Sequence, residues 1–381
     1  LAAIAPAVRA EFDISKFQIK SSKGSTFGGF PGPYVPGTFT RQAGDRADIT
    51  TVLDFSGDEA FRNVRVDLPP GLIGNPSTVA QCPSALLNAG IGKEPRCPLT
   101  SQLGAVRLFG NHETEQILAG ASIWNVKPPP SLPALFAFNY AGVLIFIEPH
   151  VRPTDYGIYT ITPDTSIAER VTAPTVKFWG APGDASHDGE RGQFSGSGNG
   201  ETGSSSTGRN EAFLSAPTSC PEAPTPFTTD VNSWDTPTYS HSEVTADPEG
   251  TPFKWEHCER LSFEPSLRVD PGSHTTASPS GLEVTLTIPQ DQDPGGLATA
   301  HLRKTTVTFP KGVSISTAAA AGIGGCSEAQ MSFGTHEKPT CPGSSSLGTV
   351  KVLSPVLEEE LEGDIYLAKQ KENPFGSFLA L

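Results

Sequence analysis

The sequence is short of positive charge and has a single methionine. Lys and Arg number 27 against 41 Asp and Glu, a formal net charge of −14. Nucleic-acid phosphates require a basic face, and anionic lipid attracts basic segments, so this balance argues against both as partners. Charged residues make up 18% of the chain, below the quarter usual for globular domains. Long apolar runs are also missing. A membrane helix needs about 20 apolar residues; the most apolar window, A-L-F-A-F-N-Y-A-G-V-L-I-F-I from Ala134 to Ile147, is shorter and offers a turn at Asn139–Gly142. It predicts a buried hairpin rather than a span. There is no G-x-S-x-G nucleophile elbow, H-E-x-x-H, P-loop or dinucleotide glycine pattern, and no C-x-x-C.

What is present favours strands. Gly 39 and Pro 36 punctuate a chain with 21 Phe and many Val, Ile and Thr, a mixture that predicts many short strands joined by turns. A length of 381 residues allows two or three domains. Six cysteines with an even, pairwise arrangement read as disulfides made in an oxidising compartment. Zinc, the rival, wants clustered ligands, and no histidine accompanies Cys82 or Cys97. The expected pairs are Cys82 with Cys97 and Cys326 with Cys341; Cys220 and Cys258 are left over, and the sequence does not say whether they pair with each other. A bridge closing about 15 residues contributes roughly 3 kcal/mol by the loop-entropy model. The opening L-A-A-I-A-P-A-V-R-A is similar to the tail of a secretory signal. The last residues, N-P-F-G-S-F-L-A-L, stop within an apolar run, as a truncated chain would.

One stretch is used twice. Residues 61–72 read F-R-N-V-R-V-D-L-P-P-G-L and residues 302–313 read L-R-K-T-T-V-T-F-P-K-G-V. Each strand and P-x-G turn precedes a two-cysteine loop, ending C-P-L-T-S-Q-L-G-A-V in one copy and C-P-G-S-S-S-L-G-T-V in the other. The turns lie 241 positions apart and the cysteines 244. Upstream, S-P-S-G-L-E-V-T-L-T-I answers A-D-I-T-T-V-L-D-F; downstream, Gly363-x-Ile365-Tyr366 answers Gly120-x-x-Ile123-Trp124. The reading is one complete unit followed by the first half of another, with a period far above the roughly 20–50 residues of solenoids. The positions kept are Pro, Gly, Cys and alternating apolar residues, which serve backbone geometry and packing. Polar positions differ: Asn63 against Lys304, Asp67 against Thr308, Gln102 against Ser346.

These signals predict an all-β fold of tandem antiparallel β-sandwich domains, Ig-like and braced by disulfides. The expected division is an N-terminal segment over 1–37, a first sandwich over 38–180 and a Gly/Ser-rich loop or linker over 181–211. A small β segment over 212–262 and a second sandwich over 263–381 complete it.

Candidate chemistry is sparse. S-H-D-G-E-R at 186–191 places His187 beside Asp188 and Glu190, a trio that could serve acid–base work, but its position before the Gly/Ser loop predicts a solvated polar turn. Q-D-Q-D-P-G-G at 290–296 sets Asp291 and Asp293 two apart, like the start of a calcium loop; no bidentate acid follows, and an ordinary turn is the expectation. No other cofactor is implied. Trp124, Trp179, Trp234 and Trp255 could form a sugar-stacking platform, yet each lies in or beside an expected strand, so core packing is expected. The acidic run from 358 to 362 reads as a solvated edge that discourages strand aggregation.

L-P-P-G-L-I-G-N-P followed by C-P…C-P-x-x-S-x-L-G-x-V, with F-L-S-A-P-T-S-C, D-P-E-G-T-P-F and N-P-F-G-S, resembles a group of large secreted tandem-repeat proteins of soil actinobacteria without an assigned activity. The resemblance covers most of 38–381 and implies an extracellular or cell-surface array of β-rich domains. The expected function is a non-catalytic structural spacer, with cell-wall components, other surface proteins or polysaccharide as partners. An adhesion or carbohydrate-binding module is the alternative, and a glycoside hydrolase using paired carboxylates is more distant.

Overall fold

The computed structural model describes residues 12–380 apart from 25, 28–33, 36, 58, 88–94, 112–115, 141, 167–170, 193–209, 310, 314–321, 323, 333–334, 336, 358 and 370–378. The signal-like opening, most of the Gly/Ser stretch and much of the terminal apolar run lie outside the described residues. The strands are β1 Asp13–Lys23, β2 Thr26–Phe27, β3 Tyr34–Val35, β4 Thr38–Phe39, β5 Asp48–Ser56, β6 Phe61–Asp67 and β7 Ile73–Gly74. They continue as β8 Gln102–Asn111, β9 Gln116–Val126, β10 Leu135–Tyr140, β11 Val143–Val151, β12 Ile158–Thr162, β13 Ala173–Phe178 and β14 Leu214–Ser215. Last come β15 Phe227–Ser233, β16 Ser240–Val244, β17 Ser266–Pro271, β18 Leu282–Thr287, β19 Ser346–Val352, β20 Leu361–Leu367 and β21 Leu379–Ala380. The fold is all-β, with three disulfides and short helical turns.

Two compact units divide the chain. The first takes residues 1–152, 156–261 and 291–300; the second takes 153–155, 262–290 and 301–381. The first unit is built on one 12-stranded sheet in the order β16-β15-β6-β12-β11-β10-β9-β8-β13-β5-β1-β4. Every neighbouring pair in it is antiparallel. The sheet curls until β1 lies against β15 and β16 near its other end. Curling lets one face close on itself. Phe17, Ile19, Ile49, Leu53, Phe55, Val106, Leu108, Ile123, Phe136, Phe138, Ile147, Phe227 and Val231 meet there in one apolar core. The apolar window forms the hairpin its pattern predicts: Phe138 pairs with Ile145 and Tyr140 with Val143. Asn139 Oδ1 accepts from the Gly142 N–H at 3.0 Å, and Gly142 takes φ +86°, a left-handed value.

Alternation along the strands sends the remaining side chains to the outer face. Over β9 and β10 that face is covered by the first cysteine loop, whose Cys82, Leu87 and Cys97 pack with Trp124, Val126 and Ala137. The third bridge, Cys220–Cys258, lies beside a small cluster of Ala43, Ala216 and Trp255.

The second unit reproduces part of this plan. Its described residues form two separate sheets, β17-β18 and β19-β20-β21. Pairing of Leu267 with Leu286 and of Val269 with Val284 repeats that of Phe17 with Leu53 and of Ile19 with Thr51. β19 meets β20 as β8 meets β9, down to the irregularity: the register shifts between Ser346 and Gly348 as it does between Gln102 and Gly104. The cysteine loop is rebuilt as closely. The Cys82 N–H donates to Asn125 O at 2.7 Å and the Cys326 N–H to Leu367 O at 2.8 Å. The repeated 61–68 strand is the exception: residues 302–309 form no strand. In the first unit β6 is held between β12 and β15, and the second unit's described residues provide no counterpart to either.

Candidate functional site

Along β5, Ile49, Leu53 and Phe55 point into the core, so Asp48, Thr50 and Val52 take the outer face. Register carries that face sideways. Thr50 pairs with Lys177 of β13, and Lys177 with Ala105 of β8; Thr175 pairs with Arg107. An outer face carrying Asp48, Lys177 and Arg107 would ordinarily be wet. Here all three are buried, Lys177 and Arg107 completely.

The chain that follows β13 folds over them. It leaves the strand at Trp179-Gly180, where the backbone passes so close to Arg46 that an added Cβ would stand 1.9 Å from Arg46 O; glycine is required there. Asp184 then caps a 3₁₀ turn over Ala185–His187, accepting from the Ser186 N–H at 2.8 Å. The turn brings His187 flat onto the Trp179 indole, ring centroids 4.7 Å apart and 9° between planes. It also delivers Glu190, whose carboxylate accepts from Lys177 Nζ at 3.0 and 3.1 Å and from Trp179 Nε1 at 2.9 Å. Lys177 Nζ is 3.4 Å from Asp48 Oδ2 as well. Asp48 Oδ1 accepts from the Gly180 N–H at 2.9 Å and lies 3.4 Å from His187 Nε2. Arg191 donates to Asp188 at 3.0 Å and to the carbonyls of Pro182 and Asp184. The Gly192 N–H closes the arc on Gln102 Oε1 at 3.1 Å.

S-H-D-G-E-R is therefore not the solvated turn its surroundings suggest. His187, Glu190 and Arg191 are buried, and Glu190 anchors the segment to the sheet. Burial also sets the protonation. It pushes Asp48 up to about 6, against the pull of Lys177 and the Gly180 N–H. It pushes His187 down to about 3, with Lys177 and Arg191 adding to the effect, so the imidazole is neutral at pH 7. The Arg107 guanidinium is lowered by the same desolvation and supported by the charge of Glu190. Breaking a buried pair of this kind leaves an uncompensated charge and costs about 3–5 kcal/mol.

His187 and Glu190 were legible in the sequence as a trio with Asp188; Asp48, Lys177 and Arg107 were not. They come from three separate strands that only the fold brings together. A signal did exist, since Lys177 in T-V-K-F-W and Arg107 in A-V-R-L-F each interrupt an apolar strand.

The other candidates are engaged within the fold. Asp291 Oδ1 accepts from the Asp293 N–H at 2.8 Å, and Asp293 Oδ1 from the Gly295 N–H at 2.9 Å, while Arg46 donates to Asp291 O. Among the described residues no group of three or more His, Cys, Asp or Glu side chains could hold a metal ion. Trp124, Trp179 and Trp255 are buried. Trp234 is 38% exposed, with its indole N–H on Thr165 O at 2.9 Å and the Arg62 guanidinium 4.6 Å above its ring. On the outer side of β11, β12 and β6, Tyr159 is stacked by His150 and capped by Arg65 at 3.9 Å. No described helix is long and apolar enough to cross a membrane. Comparison with protein-family models, with curated proteins and with solved structures gives no match to this chain.

Proposed function

We propose that the chain is a non-catalytic extracellular or cell-surface spacer, an array of disulfide-braced β-sandwich repeats of Ig-like character. The observation that carries this reading is what the second copy keeps and what it discards. It keeps the 15-residue cysteine spacing, the 3₁₀ turn after the second cysteine and the register shift that follows. It does not keep the same side chains on the polar face: in matched register Asp48 becomes Gly281, Thr50 becomes Glu283, Ala105 becomes Thr349 and Arg107 becomes Lys351. A repeated ligand site or reaction centre would need those side chains again; a repeated structural frame does not. The full engagement of Glu190 by Lys177 and Trp179 is likewise the use expected of an anchor.

Two measurements test this. Non-reducing peptide mapping of the natural protein is expected to find Cys82–Cys97, Cys220–Cys258 and Cys326–Cys341; free thiols at these positions would overturn the extracellular reading. A glycan array probed with the intact chain is expected to show no saturable binding. Strong binding lost on Trp234→Ala would replace the spacer with a carbohydrate-binding module.

A further inference from the structure

We propose that the first unit forms a covalent amide bond between the side chains of Lys177 and Asp48, an internal cross-link from β13 to β5 that the chain makes itself, with Glu190 as the proton carrier. The inference goes beyond the spacer reading and does not depend on it.

Such a bond needs a nucleophile, an acyl group and a base held together away from water. Lys177, Asp48 and Glu190 are all buried. Lys177 Nζ lies 3.4 Å from Asp48 Oδ2 and 3.0 and 3.1 Å from the two oxygens of Glu190. The amine is therefore in contact with the carboxyl group whose Cγ it attacks, and holding two reactants in contact supplies much of what a reaction between them requires. The second oxygen of Asp48 is turned to donors. Oδ1 accepts from the Gly180 N–H at 2.9 Å and lies 3.4 Å from His187 Nε2. His187 Nδ1 has no hydrogen-bond partner among the described residues, so the ring proton belongs on Nε2, the nitrogen that faces the carboxylate. Two donors thus converge on the oxygen where negative charge develops when an amine adds to a carboxyl, which is the arrangement of an oxyanion hole. Burial also favours the neutral, electrophilic form of Asp48.

The step balances without an oxidant or any other reactant. One ammonium proton of Lys177 passes to Asp48 Oδ2, leaving a neutral amine and a neutral carboxyl. The Nζ lone pair adds to Cγ, and the charge that moves onto Oδ1 is held by the Gly180 N–H and His187 Nε2–H. Glu190 takes the second Nζ proton and returns it to the Oδ2 hydroxyl. The Cγ–Oδ2 bond then breaks, Oδ1 becomes a carbonyl again and water leaves. An ammonium and a carboxylate have become one amide and one water, and Glu190 ends as it began. Two buried charges, each costly to desolvate, disappear in the process. The ion-paired cluster, in which Asp48 titrates, is the chain before the bond forms; the bond ends that titration. Unlike the three disulfides, it is not opened by thiol exchange.

Intact-mass spectrometry of the folded 381-residue chain, with its disulfides reduced, is expected to give the sequence mass less one water. After trypsin, the missing water should map to a joined product in which residues 47–62 are linked to residues 171–191, uncut at Lys177. Lys177→Arg keeps the positive charge without the amine, and Glu190→Gln keeps the shape without the proton carrier. Both variants, shown to be folded by tryptophan fluorescence, should retain the full sequence mass. A folded parent at full sequence mass, or a water loss that persists in Lys177→Arg, would overturn the proposal. A bond found within 171–191 alone, from Lys177 to Glu190, would overturn the assignment of Asp48 as the acyl partner.

Discussion

Leu108 and Val352 occupy the same place in two copies of one strand, yet Leu108 is 3% exposed and Val352 46%. The contrast recurs at Leu103 against Leu347 and at Ile19 against Val269. Local structure is the same in each case: the pairing, the register shift and the cysteine loop are repeated. What differs is the number of strands that return. In the first unit twelve strands curl back to close a core; in the second, the described residues form two small sheets whose apolar side chains stay exposed. Strand formation in this chain is thus a property of short stretches, and burial is a property of the complete sheet.

The sharpest way to break the comparison lies at the charged positions. Lys177→Met removes the ammonium that Glu190 and Asp48 share while nearly keeping the side-chain length. It should destabilise the first unit by about 3–5 kcal/mol, since both carboxylates lose their buried partner. Adding Glu190→Gln should recover part of that loss. In the second unit Lys351 bonds Glu360 at 2.7 Å and Glu362 at 2.9 Å on an exposed surface, and Lys351→Met should leave that unit's stability, followed by amide hydrogen exchange, where it was. All four tryptophans lie in the first unit, so denaturant unfolding followed by their fluorescence reports that unit alone. A Lys177→Met variant as stable as the parent would mean that the 180–192 segment is held by something other than this cluster.

How far the sequence disclosed this arrangement follows the same divide. The hairpin over Leu135–Val151, the cysteine pairs and the strands β8 and β9 rest on alternation, turn residues and spacing, all of which are local. The failure of 302–309 to form a strand could not be read there. Its residues match those of β6, whose pairing depends on β12 and β15 more than ninety positions downstream. The burial of His187 and Glu190 was hidden for a similar reason. S-H-D-G-E-R is polar at every position but one, and only the Lys177 and Asp48 beneath it, both on strands, make its burial possible.

A smaller effect sharpens the contrast within the cores. Leu108→Ala should cost the first unit about 2–5 kcal/mol, the transfer loss plus the cavity left in a closed core. Val352→Ala, at the equivalent place, should stay within about 0.5 kcal/mol, as surface substitutions do. Urea unfolding of the two variants, with amide exchange used to follow the second unit, measures both. Equal losses would show that the second core is closed in solution.

The smallest effect concerns pH, and its sign differs for two neighbours. Burial raises Asp48 from 3.8 to about 6, so the folded state holds that proton more tightly than the unfolded chain. Its contribution is greatest at low pH and is lost as pH rises from about 4 to 6. Burial lowers His187 from 6.5 to about 3, and its contribution is full above about 6.5 and lost as pH falls. Asp48 faces Lys177, Glu190 and the Gly180 N–H; His187 faces Trp179 and Asp48, with Lys177, Arg191 and Asp184 around it. Between about pH 4 and 6 the two slopes oppose each other, so the parent should be nearly flat. Asp48→Asn leaves the histidine alone, and stability should then fall on acidification through this window. His187→Gln leaves the aspartate alone, and stability should rise over the same interval. Each change is at most about 2–3 kcal/mol over these two pH units, at about 1.4 kcal/mol per unit. The second unit has Gly281 where the first has Asp48, so its own stability should follow neither slope. Tryptophan-detected urea midpoints at pH 4, 5 and 6 decide the matter: if both variants run parallel to the parent, Asp48 and His187 do not titrate as a buried pair.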